Sequence, residues 1–245
     1  MRISNSIAIN NNPTAALADS FTNSLSLQLD GVDEYVTMNN IAYQDFALSA
    51  WIKTSGNTLT IMSLKALTSA PTNRSGVVFS VNSSGYLQII WAINNTNMGT
   101  AEVGTTLVND GSWHHVAVSK EGTAIEFYVD GVNSDSLTSS NGTVRYGSSN
   151  VTTAIGTYNS GVNPFNGVMK DVAVWSNTDN ELVDLVAIGA DKPTNLSINT
   201  YPPAFWWRFG DSLEGDTYSD LKDEIGTHDG TGTNTDDGDI IEDSP

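Results

Sequence analysis

The chain has 245 residues, of which 39% are hydrophobic, and this is enough apolar material for one large core. Its 28 Asp and Glu residues outnumber its 10 Lys and Arg residues, for a formal net charge of −18, which argues against a nucleic-acid partner. It contains no cysteine, which excludes disulfides, thiolate zinc sites and thiol nucleophiles.

The first 23 residues are polar, and Pro13 interrupts any regular pattern among them. Residues 1–12 lack the apolar block of a secretory signal peptide, so we expect no export signal there. No stretch approaches the roughly 18 apolar residues of a membrane span, which predicts no membrane insertion. We interpret residues 1–23 as an N-terminal arm, either loosely ordered or docked on a neighbouring subunit.

From residue 24 onward, short segments alternate strictly between apolar and polar residues. In segment 25–29, for example, Leu25, Leu27 and Leu29 alternate with Ser26 and Gln28. A two-residue period places alternate side chains on opposite faces of a strand. The predicted strands are 25–29, 35–38, 46–53, 59–64, 76–81, 86–93, 113–119, 125–130, 154–156, 168–175 and 205–209. Eleven short strands predict an all-β fold, a two-sheet antiparallel jelly-roll sandwich.

The segments outside the predicted strands contain signals for turns and for one helix. Three Asp-Gly pairs, at 30–31, 110–111 and 130–131, are suited to tight turns with positive φ. Thr178 and Glu181 have the spacing of a capping box, and the apolar residues after them predict one short helix over 178–188. From residue 211 the chain is acidic and rich in Gly and Thr. We therefore divide it into an arm (1–23), a sandwich domain (24–210) and a largely solvated acidic tail (211–245).

The order of these segments resembles a known family. Residues 24–36, 46–53, 110–118, 127–131 and 165–175 are similar, in sequence order, to the core strands and turns of laminin-G-like (LamG) jelly rolls of the concanavalin A-like lectin/glucanase superfamily. The resemblance extends over about residues 24–190. It implies a sandwich domain that serves as a recognition or structural module. In that family the pair His114 and His115 is a structural signature.

Residues 204–211 and the acidic sequence behind them resemble the ends of LamG-like structural proteins of tailed bacteriophages. This resemblance implies a non-enzymatic virion component, a capsid decoration or tail-associated protein on the virion surface. Such a protein would be made in the host cytoplasm and released without secretion, in agreement with the missing signal peptide. Its expected partners are other virion proteins in a symmetric or homo-oligomeric assembly, and host-surface glycans. Two alternatives stay open, a free carbohydrate-binding lectin and a polysaccharide-degrading enzyme.

Catalytic patterns are weak in this sequence. Glycosidases need two carboxylates that flank the scissile bond, and no core strand carries a Glu-x-Asp-x-Glu series. His114 and His115 are neighbours on a predicted strand, so their side chains point to opposite faces and cannot hold one ion together. We expect no enzyme activity and no required cofactor.

Two binding hypotheses remain. A structural calcium ion would use clustered carboxylates in a turn, here Asp30 and Asp33 with Glu34 beside them, together with Asp171 from a late strand as relatives of this fold imply. The competing interpretation is that Asp30 and Gly31 only form a turn.

Carbohydrate would use aromatic rings as stacking platforms beside polar partners. The candidate residues are Trp91, Tyr86, Tyr158 and Tyr146, all in or near Asn- and Ser-rich segments. The alternative for each of them is burial in the core.

Overall fold

The fold is a sandwich of two antiparallel β-sheets, as the alternating pattern predicts. The computed structural model describes residues 23–67, 73–147, 152–176, 192–210 and 216–245. Within these ranges nearly all regular structure is β-strand, with one short 3-10 helix at Leu196–Ile198. The predicted helix over 178–188 and the predicted arm before residue 23 lie outside the described residues.

The first sheet has eight strands among the described residues. Its order is β10-β9-β8-β3-β12-β1-β15, and β13 pairs with β12 beside this path. The strands are β1 (Leu25–Asp30), β3 (Phe46–Lys53), β8 (Trp113–Glu121), β9 (Ala124–Val129), β10 (Val132–Thr138), β12 (Asn166–Trp175), β13 (Phe205–Trp207) and β15 (Ile240–Glu242).

The second sheet has seven described strands in the order β14-β2-β11-β4-β5-β6-β7. They are β2 (Tyr35–Met38), β4 (Leu59–Leu67), β5 (Ser75–Val81), β6 (Tyr86–Ala92), β7 (Met98–Leu107), β11 (Thr153–Ile155) and β14 (Thr231–Thr233). β4, β5 and β6 follow one another as antiparallel neighbours, so each pairs with the strand next to it in the sequence.

The main core lies between the two sheets and follows the two-residue period. Along β5 the side chains of Val77, Phe79 and Val81 enter this core, and β6 contributes Leu87, Ile89 and Trp91. Each fully buried side chain of this size stabilises the fold by about 1.5–3 kcal/mol relative to an exposed one. The alternate residues of these strands therefore face outward on the second sheet.

The first sheet also has a packed outer face. Ala47, Ala117, Ala173 and Trp206 belong to a second, smaller apolar cluster on that side. On the same face of β8, the His115 ring is buried against the Trp51 ring, with ring centroids 5.3 Å apart. Complete burial lowers the pKa of His115 to about 4, because a charged imidazolium is poorly solvated there.

The acidic C-terminal segment differs from the solvated tail that its composition suggests. β15 pairs with β1 in the first sheet, and β14 pairs with β2 in the second. Leu221 is fully buried, and the Trp207 indole donates to the His228 carbonyl at 2.9 Å. Most polar side chains of the segment stay in solvent, but backbone pairing and a few apolar anchors hold residues 216–245 on the sandwich, which composition alone does not reveal.

Among the described helices, none combines the length and apolar character that crossing a membrane requires.

The buried imidazole of His115 predicts a loss of stability at acid pH. In the unfolded chain His115 takes up a proton near pH 6.5, whereas the folded protein resists protonation down to about pH 4. Stability linked to this group is therefore complete above pH 6.5 and falls by about 3 kcal/mol as the pH drops to 4. In urea unfolding, His115→Phe should remove this part of the acid destabilisation while keeping an aromatic ring beside Trp51.

The neighbouring His114 supplies a control of opposite sign. Hydrogen bonding to Asp130 raises the pKa of His114, so its contribution is present below pH 6.5 and is lost as the pH rises through the folded value. His114→Gln should therefore cost more stability at pH 5 than at pH 8. Equal pH dependence of wild type and His115→Phe would show that burial of the His115 imidazole does not cause the acid destabilisation.

Candidate functional site

The three predicted Asp-Gly turns meet at one end of the sandwich. Gly31, Gly111 and Gly131 have φ values of +77°, +85° and +74°, a region that glycine adopts without steric cost. The connection 54–58, between β3 and β4, lies at the same end, where the Gly111 amide donates to the Thr54 carbonyl at 2.9 Å. We call this end of the molecule the Asp-Gly end.

His114 links two of these turns. Its Nδ1 lies 2.8 Å from Asp130 Oδ2, and its Nε2 lies 3.2 Å from Asp110 Oδ1. The hydrogen bond to Asp130 raises the pKa of His114, which favours the charged imidazolium between the two carboxylates. His114 therefore holds the two turns together, and Asp130 also accepts the backbone amide of His115 through Oδ1 at 2.9 Å.

A cavity of about 210 Å³ opens on the outer face of the second sheet, near the Asp-Gly end. Its floor consists of the outward-facing Val78 and Ser80 of β5 and Gln88 and Ile90 of β6. Tyr158 lies at its side, on the connection between β11 and β12. One aromatic ring therefore stands beside hydroxyl and amide groups over a partly apolar floor.

A second cavity, of about 460 Å³, adjoins the first around the end of the sandwich. Gly31, Ser55, Asn57 and Asn166 line it, and Thr58 and Asn163 line both cavities. We call the two cavities together the polar groove. It passes from the outer face of the second sheet to the Asp-Gly end.

The connection that carries Tyr158 is held in place by its own hydrogen bonds. Ser63 Oγ donates to the Thr157 carbonyl at 2.9 Å, and Thr157 Oγ1 accepts from the Gly161 amide at 3.0 Å. The backbones of Tyr158 and Val162 bond to each other in both directions, at 3.3 and 3.0 Å. The backbone that carries Tyr158 is therefore held by the protein itself before any ligand arrives.

The two residues shared by both cavities adopt an unusual backbone conformation. Thr58 has a φ of +59° and Asn163 has a φ of +49°. This region is uncommon for residues other than glycine and is a genuine outlier for a β-branched threonine. The Asn163 carbonyl accepts the Thr60 amide at 2.9 Å, so strand β4 holds this part of the groove in place. Such strain concentrates at binding sites, where the surrounding fold maintains it.

The four aromatic candidates from the sequence separate clearly. Tyr158 lines the groove, and Tyr86 lies half-buried on the same outer face, two residues before Gln88 on β6. The prediction that Trp91 stacks on a ligand is corrected, because its side chain points inward from β6 and is only 1% exposed in the core. Tyr146 is a second correction: its hydroxyl donates to the Tyr43 carbonyl at 2.7 Å near the opposite end of the sandwich.

Thr58 and Asn163, by contrast, are marked in the sequence only weakly as site residues. The one signal is that they lie in polar connections between predicted strands.

The residues of the calcium hypothesis do not come together. Asp30 pairs with Asn166 in β12, five positions from Asp171, a separation of roughly 16 Å along a strand. Asp171 is instead buried at a bulge in β12, where its carboxylate accepts hydrogen bonds from the Trp206 indole, at 2.9 Å, and from the side-chain Nδ2 of Asn23. Burial raises the pKa of Asp171 to about 6.

The turn that contains Asp30 and Asp33 faces other carboxylates. Partial burial raises the pKa of Glu34, and the negative charges of Asp239, Asp30 and Asp236 add to this effect. Among the described residues, no group of three or more His, Asp or Glu side chains is arranged to hold a metal ion. The acidic turn thus contributes negative charge to the Asp-Gly end.

Comparison with known proteins agrees with this architecture. A family model described as the concanavalin A-like lectin/glucanase superfamily, of the laminin-G type, matches residues 30–181, which is more than half of the chain. The chain belongs to this superfamily, which confirms the resemblance seen in its strands and turns. No curated protein sequence matches it.

Several solved structures share the fold at low sequence identity. A Bacteroides ovatus protein with an inferred carbohydrate-binding role has a TM-score of 0.62 at 17% identity; the match covers 90% of this chain and 60% of that protein. A heptameric SAP-like pentraxin from Limulus polyphemus has a TM-score of 0.54 at 14% identity, covering 85% and 95% of the two chains.

The IT-sialidase CBM40 of Ruminococcus gnavus, bound to α2,3 sialyllactose, has a TM-score of 0.51 at 11% identity, covering 67% and 96%. These likenesses establish the fold.

The strained backbone at Thr58 predicts that asparagine is better tolerated there. Asn adopts positive φ more readily than a β-branched residue, so Thr58→Asn should raise the free energy of unfolding by roughly 0.5–1 kcal/mol. Thr227→Asn, at an exposed position without positive φ, is the matched control and should change stability by less than about 0.5 kcal/mol. Destabilisation by Thr58→Asn, measured by urea unfolding, would show that Thr58 is not strained.

Proposed function

We propose that this member of the concanavalin A-like lectin/glucanase superfamily binds carbohydrate in the polar groove, with Tyr158 as the stacking platform. The observation that carries the proposal is the position of Tyr158. It lines an open cavity together with Gln88 and Asn163, on a connection whose backbone is held by hydrogen bonds. A lectin role is thereby favoured over the virion role as the primary function.

The chemistry of the groove matches that of a sugar. A pyranose or furanose has apolar C–H faces, which pack on an aromatic ring, and hydroxyl groups at its rim, which both donate and accept hydrogen bonds. In the described part of the chain, neither the Tyr158 hydroxyl nor the Asn163 carboxamide has a hydrogen-bond partner within the protein. Carboxamides suit sugar hydroxyls because they offer a donor and an acceptor on one group.

The lining of the groove favours binding over cleavage. Hydrolysis of a glycosidic bond needs an acid and a second carboxylate on opposite sides of that bond. No Asp or Glu is among the described residues that line either cavity. This supports a non-catalytic role and weakens the polysaccharide-degrading alternative.

The bacteriophage assignment stays a prediction. None of the solved proteins compared above is named as part of a virion. A location on a virion surface, with other virion proteins as partners, is compatible with a glycan-binding groove, since a displayed lectin domain would contact host-surface glycans. Purified particles probed with an antibody against this chain would test that placement separately.

Removal of the stacking ring should weaken binding. The probes are five neutral trisaccharides (cello-, xylo-, manno-, arabino- and maltotriose), titrated by calorimetry. For those that bind wild type, Tyr158→Ala should weaken the affinity about tenfold, because it removes roughly 1–1.5 kcal/mol of ring stacking.

Tyr218→Ala is the matched control, since Tyr218 is 39% exposed and lies outside the groove. It should leave the affinity unchanged. If none of the five trisaccharides binds wild type, or if Tyr158→Ala binds them as well as wild type does, the proposed function is wrong.

A further inference from the structure

We infer that the polar groove selects neutral glycans and rejects anionic ones, such as sialylated or uronic-acid-containing sugars. This inference rests on the proposed function and adds the substrate class. It follows from where the chain places its few cationic side chains and its many carboxylates.

No charged side chain lines the groove among the described residues. Its polar lining consists of hydroxyls and carboxamides, including those of Ser80, Ser83, Gln88, Asn57 and Asn163. An anionic sugar is usually held by Arg or Lys, which form charge-assisted hydrogen bonds to a carboxylate or sulfate. Without such a partner, an anion that enters the groove loses part of its hydration and gains no ion pair.

Most of the basic side chains are already engaged elsewhere. Lys53 Nζ lies 2.9 Å from Asp243, and Lys222 Nζ lies 3.0 Å from Asp220. Lys120 is fully buried and donates to three backbone carbonyls, those of Gln44, Gly122 and Gly142.

The other described basic side chains do not line the groove either. Lys170 and Arg208 are buried, at 0% and 4% exposure. Arg74 and Arg145 meet near the start of β5, at the end opposite the Asp-Gly end, where the Arg145 guanidinium donates to the Arg74 carbonyl. Lys192 lines a separate cavity beside Asn23. Lys65, on β4, lines neither part of the groove.

Carboxylates lie instead beside the part of the groove that reaches the Asp-Gly end. Asp30 directly precedes the lining residue Gly31, and Asp33 and Glu34 continue the same turn. Asp110 and Asp130 are exposed at the same end, and both contact the His114 imidazole between them. With a formal net charge of −18, the whole protein adds a repulsive field toward anions. Since the screening length is about 8 Å at physiological salt, the nearby turn contributes most of it.

The test compares neutral and anionic probes on the same protein. The neutral probes are the five trisaccharides, and the anionic probes are 3′-sialyllactose and tri-galacturonic acid, all titrated at low salt and at roughly 0.5 M salt. Wild type should bind at least one neutral probe with little salt dependence and should bind both anionic probes at least about tenfold more weakly.

A new cation in the groove should then admit anionic sugars. Ser83 is exposed, lines the groove and makes no side-chain hydrogen bond in the described part of the chain. Ser83→Lys should raise the affinity for an anionic probe roughly two- to fivefold at low salt, an effect that high salt removes. Ser140→Lys, an equal charge change at an exposed site near the opposite end, is the control and should give no such gain. Gln88→Lys serves as the second variant if Ser83→Lys does not fold.

The outcomes separate the two proposals. If wild type binds anionic and neutral probes equally well through Tyr158, the groove binds glycans but the selectivity inference is wrong. If Ser140→Lys matches Ser83→Lys, the gain comes from net charge and the inference about the groove is also wrong. If no probe of either class binds, both the proposed function and the inference fail.

Discussion

The structure depends on the strict two-residue period of β5 and β6. Val77, Phe79 and Val81 on β5, with their counterparts on β6, must face the core because their burial stabilises the sandwich. Because side chains alternate along a strand, the residues between them face outward and form the floor of the polar groove. A slip of one residue in either strand would exchange core and groove, so the same hydrophobic pattern that fixes the fold also fixes the site.

The groove differs from the rest of this acidic surface in its chemistry. Its sides come from connections with positive φ, at Thr58, Asn163 and the segment that follows Tyr158, and β4 holds them by hydrogen bonds to Thr60 and Ser63. Its lining is neutral, whereas the Asp-Gly end around it is rich in carboxylates. A rigid, neutral, partly aromatic groove within a negative field suits a ligand with many hydroxyls and no charge.

Much of the sandwich could be predicted from the sequence, and the reason is local. The strands at 35–38 and 46–53 match the observed β2 and β3 residue for residue, because both segments are mainly apolar and have polar turn residues on either side. β7 and β10 were missed because they contain many Gly, Thr, Ser and Asn residues. β10 is also an edge strand, largely exposed, and gains little from apolar alternation. The site was harder to predict, since Thr58 and Asn163 meet only through contacts between segments about 100 residues apart.

The two aromatic residues wrongly predicted to bind ligand show the same limit of prediction from sequence. The composition around Trp91 and Tyr146 resembles that around Tyr158, yet the phase of β6 buries Trp91 and a hydrogen bond to Tyr43 fixes Tyr146 elsewhere. The most direct measurement of the central claim is the change in backbone amide chemical shifts when a neutral trisaccharide such as xylotriose or mannotriose is added. The groove predicts that the shifts concentrate at Ser83, Gln88, Tyr158 and Asn163. Shifts confined to the acidic turn at Asp30–Glu34, or spread over the first sheet, would contradict it.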